Sequence, residues 1–355
     1  MKKDSVESIV LLIVIFLAVY APVLKSNVFV TMGLIILFLL LPCSFNKIKL
    51  YFSFFLIPTF LFCLAFSAYS ALFSVANMFV LSMVVFSLRQ EQIIKCFWLC
   101  LYSSWSFIVI AIIHCIVDGT AISTFSMNGR ILDWYVMGVN VNANLIGLYS
   151  ALIVALCVIC IYLDVERRTN RLLLLFFCIP IAAIGFVLAG SRSAALFIIF
   201  FIVPLLVGNI RILASAVPSL LIIYCFFCDD LLELRAFDFF SGDSGRFQFY
   251  KDAYNLWIQK SFLPLNDKML SENNIILDNL FLGAIFRYGI FMFIGVLFFC
   301  FFILYRLATT KNKKNLPCSS LAFSSVGLGF VESSFIGSFF LLLIVLMCSV
   351  LKERR

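Results

Sequence analysis

The sequence predicts an all-α fold, a polytopic transmembrane helical bundle of about twelve spans, and three observations carry that prediction. Hydrophobic residues make up 64% of the chain and charged residues only 12%, a balance that no water-soluble surface of this size shows. Apolar runs recur at close to the roughly 20 residues needed to cross the hydrocarbon core of a bilayer. Basic residues collect in alternate short connections, the pattern that fixes the orientation of a polytopic membrane protein. Residues 1–355 read as a single integral membrane domain with two long loops, 118–143 and 229–277, and no soluble domain.

The spans run in order from Ser8 to Leu24, Val28 to Leu41, Leu50 to Phe66, Ser70 to Leu88, Phe97 to Val117, Asn144 to Leu163, Leu172 to Ala189, Ser193 to Val207, Ile212 to Cys228, Asn279 to Tyr305, Leu316 to Val331 and Phe335 to Leu351. The first imitates a signal peptide. Pro22 stands just after its one plausible small-residue cleavage site and another span follows at once, so it reads as a retained helix. A cytoplasmic N-terminus places 17 of the 26 lysines and arginines inside, mostly in short loops, and leaves both termini cytoplasmic. The two long loops then face outward. The second carries five basic and eight acidic residues, so the overall net charge of +8 reflects cytoplasmic anchoring. Nucleic acid is not an expected partner, because no exposed basic domain with aromatic stacking positions is present.

The 13 cysteines are scattered through apolar runs and read as small packing residues. Cys157/Cys160 and Cys225/Cys228 have CxxC spacing, but no histidine or second pair lies nearby, so neither metal nor cofactor is expected. The 43 phenylalanines read as lipid-facing and interhelical bulk. Ionisable groups are nearly missing at hydrocarbon depth. His114, Arg192, Arg287 and Glu332 all fall toward the outer ends of their spans, which disfavours an ion-coupled carrier with charges at its midplane.

Polar chemistry therefore concentrates at the outer interface. In Gly190-Ser191-Arg192-Ser193, Gly190 suits the end of one helix, and Ser191 or Ser193 can cap the next, leaving Arg192 beside a helix N-terminus. The alternative is an arginine snorkelling to headgroups. In Ser241-Gly242-Asp243-Ser244-Gly245-Arg246, Ser244 can cap a helix starting near Gly245. Its Phe247, Tyr250, Tyr254, Trp257 and Ile258 share one face, expected in the lipid boundary, with Arg246 at the start. A plain scaffold helix is the alternative. Two guanidiniums at helix mouths form a clamp suited to a lipid diphosphate, since arginine stays charged and presents a fork of donors.

Asp278-Asn279 precedes an apolar run to Tyr305, roughly 40 Å long if helical and so longer than the hydrocarbon core. Arg287 then lies near the interface and Asp278 above it, either as an acceptor for chemistry or merely as a charge favourable to the helix dipole. Asn140, Asn142 and Asn144 introduce the sixth span, where capping is the simple role.

In their order against the spans, Asn142-Ala143-Asn144, Gly190-Ser191-Arg192, Ser244-Gly245-Arg246 before an aromatic helix, and Asp278-Asn279 to Leu282 with Gly289 following, these motifs resemble the O-antigen polymerase and ligase family over about residues 140 to 300. That resemblance implies a GT-C-like, inverting, metal-independent glycosyltransferase of a bacterial inner membrane, acting on its periplasmic face. The donor would be a glycan linked to undecaprenyl diphosphate. Arg192 and Arg246 match the family's phosphate-binding arginines. Arg287, Ser191, Asn279 and Asn142 complete the expected diphosphate-binding set, with Asp278 as first and Glu272 as second candidate for the base that receives the acceptor proton. Ligases carry a histidine before the asparagine of the last motif where this chain has Asp278, so polymerase leads and ligase is the alternative. A flippase for lipid-linked oligosaccharide is the alternative of another class. A polysaccharide chain-length regulator stands as an open partner beside the lipid bilayer and the lipid-linked oligosaccharide.

Overall fold

The computed structural model describes residues 3–24, 27–41, 47–65, 69–118, 131, 133–163, 174–207, 246–265, 267–275, 280–298 and 316–329. The expected spans 212–228 and 335–351 lie outside these residues.

Mostly apolar sequence makes mostly helix. The chain begins with α1 (Lys3–Val19), α2 (Ala21–Leu24), α3 (Asn27–Leu40), α4 (Lys47–Ala65), α5 (Tyr69–Val85) and α6 (Gln90–Asp118). The first expected span is therefore not continuous: it breaks at Tyr20, because Pro22 supplies no amide and suits only the first turn of a new helix. The start of α6 is fixed by its own sequence. Gln92 Oε1 accepts the Arg89 N–H at 2.9 Å, half of a capping box, and Gln92 Nε2 donates at 3.2 Å to the buried carboxylate of Glu7 on α1.

The first long loop departs from the all-α expectation. It contains an antiparallel hairpin, β1 (Asp133–Val136) and β2 (Val139–Asn142), with Asp133 opposite Asn142 and Val136 opposite Val139. Met137 and Gly138 turn it with φ of 52° and 77°, the left-handed pair of a type I′ turn, whose twist matches that of the strands. Trp134 pins the hairpin into the bundle. It is fully buried, and its indole N–H donates to Ile131 O at 3.0 Å while Ile131 N–H donates to Leu188 O at 2.9 Å.

From the hairpin the chain enters α7 (Ala143–Leu163) and, after a π-turn at Leu174–Cys178, continues as α8 (Ile179–Ala189) and α9 (Arg192–Val207). Further along come α10 (Arg246–Gln259), α11 (Asp267–Glu272), α12 (Leu280–Tyr288), helical residues 290–298, and α13 (Leu316–Gly329). α7 is the central helix. It is apolar on nearly every side and packs against α6, α8, α9 and α13, the arrangement expected of a helix without a polar face. Small residues set the spacing: the buried face of α8 is Ala182, Gly185 and Ala189, and a Cβ on Gly185 would stand 2.5 Å from Ser150 Oγ of α7.

α6 and α7 are each long and apolar enough to cross a membrane. The outward surface of the bundle is also hydrocarbon, with Leu39, Phe54, Ile116, Val117 and Phe176 each at least 70% exposed. The expected run from Asn279 to Tyr305 proves discontinuous. Gly289, at φ 86°, closes α12 by donating to Ile285 O at 3.0 Å before helix resumes, a conformation that glycine takes without steric penalty.

Candidate functional site

The turn between α8 and α9 forms as its residue types require. Gly190 adopts the left-handed conformation (φ 54°, ψ 39°), and its N–H meets the carbonyls of Phe186 and Val187, each at 3.2 Å. Ser191 then caps α9: its Oγ accepts the Ala194 N–H at 3.3 Å, and its carbonyl accepts the Ala195 N–H at 3.2 Å. Ser191 is fully buried and Arg192, the first residue of α9, is half-buried. The guanidinium thus starts from the positive end of a helix dipole, at a backbone position held from both sides.

α7 brings a second expected motif to this turn. Asn142 Oδ1 accepts the Asn144 N–H at 2.8 Å, so Asn142 is the cap of α7 and leaves β2 directly into the helix. Little more than a turn later Gly147 lies against the start of α9, where an added Cβ would stand 2.5 Å from Ser191 Cβ and 3.3 Å from Ala194 Cβ. Asn142, Ser191 and Arg192 therefore belong to one end of the bundle. The C-terminal end of α6 joins them there, with His114 stacked on Tyr135 of β1 at 5.4 Å between ring centres.

Arg246, Glu272 and Arg287 belong to a second group of helices, α10, α11 and α12. α10 begins at Arg246 and packs on α12, its Trp257 ring 5.5 Å from that of Phe286. The aromatic stripe of α10 consequently divides. Trp257 turns into the protein with Ala253 and Leu256, while Tyr254 and Ile258 stay exposed, so the expectation of one lipid-facing aromatic face is corrected for Trp257. Arg287 occupies the last turn of α12. Its Nε is buried and finds no hydrogen-bond acceptor among the described residues. Beside it, Tyr288 O accepts the Cys63 thiol at 3.9 Å, which ties α12 to the end of α4.

Glu272 ends α11 in an exposed position, where it pairs with Lys268 at 3.8 Å. Asp278 and Asn279 lie outside the described residues, as does the side chain of Arg246. Among the described residues, no group of three or more His, Cys, Asp or Glu side chains is arranged to hold a metal ion.

Several parts of this site carry weak sequence signals. Gly147 reads as one small residue in an apolar helix, and only the approach of Ser191 explains it. Met137-Gly138 lacks the Asn-Gly or Asp-Gly spelling that advertises a type I′ hairpin. No protein-family model matches the chain, and no curated protein matches it.

Proposed function

We propose that this protein is an inner-membrane O-antigen or related surface-polysaccharide polymerase, which moves a growing glycan from undecaprenyl diphosphate onto a lipid-linked repeat unit at the periplasmic face. The observation that carries the reading is the α8–α9 turn. Arg192 stands at a helix N-terminus whose preceding Ser191 is buried and clamped against Gly147 of the helix that Asn142 caps. Such a position suits a bound diphosphate better than an unconstrained surface arginine does. The hydrocarbon exterior and the two helices long enough to span support the membrane setting.

The chemistry asks little more of the protein. The acceptor hydroxyl attacks the donor C1 in line, the C1–O bond to phosphate breaks with inversion, and undecaprenyl diphosphate leaves as the anion. Charge develops on the bridging phosphate oxygen, and Arg192 and Arg246 are proposed to supply positive donors there, with Arg287, Ser191, Asn279 and Asn142 assigned to the rest of the diphosphate. The hydroxyl proton passes to a carboxylate. Asp278 is favoured over Glu272, because Glu272 is exposed and paired with Lys268.

Deletion of the gene tests this reading against its alternative. A polymerase mutant makes lipopolysaccharide bearing a single repeat unit, because ligation still works. Bare lipid A-core with lipid-linked polymer accumulating would identify a ligase, and unaltered lipopolysaccharide would refute both.

A further inference from the structure

We propose that Cys157 and Cys178 are a redox-active thiol pair, closed to a disulfide by an organic hydroperoxide that arrives through the surrounding lipid. The pair belongs to neither the diphosphate clamp nor glycan transfer.

α7 and α8 approach closely where small side chains face each other, and a Cβ on Gly185 would stand 2.5 Å from Ser150 Oγ. Cys157 follows Ser150 by seven residues, and Cys178 precedes Gly185 by seven. Moving forward on one helix while moving back on the other is the pattern of an antiparallel pair, and seven residues are about two turns, so the same faces meet again at the cysteines. The thiols do meet: Cys157 and Cys178 are hydrogen-bonded to each other. A disulfide requires such a neighbourhood, with Cα atoms about 4.4–6.8 Å apart. Both cysteines are buried and unbridged.

A thiol enclosed on every side is inert, so a reactive pair needs an entry. Cys178 supplies it. This residue ends the π-turn Leu174–Cys178 and is the N-cap of α8, and its thiol makes no capping bond to the helix backbone. π-turns are rare and gather at functional sites. Phe176 and Phe177, the two residues before it, are exposed on the hydrocarbon surface, and Cys178 itself keeps 5% exposure where Cys157 has none. The oxidant class follows from that surface. Charged peptide disulfides are excluded from hydrocarbon, whereas a hydroperoxide group on an apolar body dissolves in it.

The Cys178 sulfur attacks the terminal peroxide oxygen, the O–O bond breaks, and the alcohol leaves with the thiol proton, so that Cys178 becomes a sulfenic acid. The Cys157 sulfur then attacks the Cys178 sulfur. The S–S bond forms, the S–O bond breaks, and hydroxide leaves with the Cys157 proton as water. Two thiols are oxidised by two electrons, and the hydroperoxide is reduced to alcohol and water.

Cumene hydroperoxide is the probe, added to the full chain in lipid nanodiscs, with remaining thiols blocked by N-ethylmaleimide before proteolysis and mass spectrometry. The expected product is a peptide pair joined through Cys157 and Cys178, lighter by the two thiol hydrogens and released by dithiothreitol. In Cys157→Ala the oxidation stops one step earlier, and dimedone should label the sulfenic acid at Cys178. Cys178→Ala should lose the cross-link, while Cys160→Ala should keep it. No cross-link between Cys157 and Cys178 in the wild type, or a bridge between Cys157 and Cys160 in its place, overturns the pair whether or not any variant folds. Dimedone on Cys157 in Cys178→Ala overturns entry through Cys178.

Discussion

Gly147→Ala separates the geometry of the α7–α9 contact from the stability of the bundle. The added Cβ would lie 2.5 Å from Ser191 Cβ, 3.2 Å from Ser191 Oγ and 3.3 Å from Ala194 Cβ. Carbon atoms rest at roughly 3.5–4.0 Å, so the two helices must part by about 1 Å. Neither opposing Cβ can rotate away. Overpacking of this kind costs about 1–3 kcal/mol. The gain from placing alanine instead of glycine in a helix, about 1 kcal/mol, offsets part of it and leaves a net loss of roughly 0–2 kcal/mol. Activity suffers more, because a displacement near 1 Å in a positioning element lowers rate by something like 10²-fold. The assay pairs thermal unfolding in detergent with polymer synthesis from lipid-linked repeat units. Adding Ser191→Gly removes the opposing Cβ, and glycine at a helix cap costs only about a few tenths of a kcal/mol, so the double variant should regain much of the lost thermal stability. Wild-type melting and activity in Gly147→Ala would refute the close contact, and a double variant no better than the single one would refute the steric cause.

Three further outcomes follow from the same account. Topology reporters fused after Arg130 and Ser241 should report the periplasm and those after Arg168, Lys313 and Arg355 the cytoplasm; a cytoplasmic signal at Ser241 would remove Arg246 from the diphosphate. Asn142→Ala should lose about 1 kcal/mol of thermal stability through the missing cap of α7, with Asn142→Ser, a capping residue without charge facing Asp133, close to wild type, and a neutral alanine variant would contradict the cap. Asp278→Asn should slow glycan transfer by roughly 10²-fold or more while lipid-diphosphate binding persists; near-normal chain length at native expression would turn attention to Glu272.

Much of the local structure was legible because it depends on residue type at short range. Gly190 as a left-handed terminus, a cap at Ser191 or Ser193, a cap among Asn140, Asn142 and Asn144, and a helix starting near Gly245 all follow from rules spanning four residues or fewer, and the structure selects Ser191 and Asn142. The departures come from longer range. The break at Gly289 was hidden in an unbroken apolar run, since hydropathy reports solvent and is blind to backbone φ. Trp257 has the helical spacing of a lipid-facing stripe, and only the arrival of Phe286 turns it inward. The role of Gly147 required knowing which helix lies opposite, a fact that no single helix encodes.

The central claim is that Arg192 and Arg246 together grip a lipid diphosphate at the outer end of the bundle. Polymer length on purified membranes supplied with undecaprenyl-diphosphate repeat units, at matched protein level, tests it most directly. A guanidinium makes forked, charge-assisted contacts with phosphate oxygens that an ammonium does not reproduce. Arg192→Lys and Arg246→Lys should therefore each shorten or abolish the polymer although charge is conserved, and the alanine variants should do worse. Lysine reaches a lipid headgroup as well as arginine does, so arginines that merely snorkel predict no loss. Full-length polymer from both lysine variants would contradict the clamp.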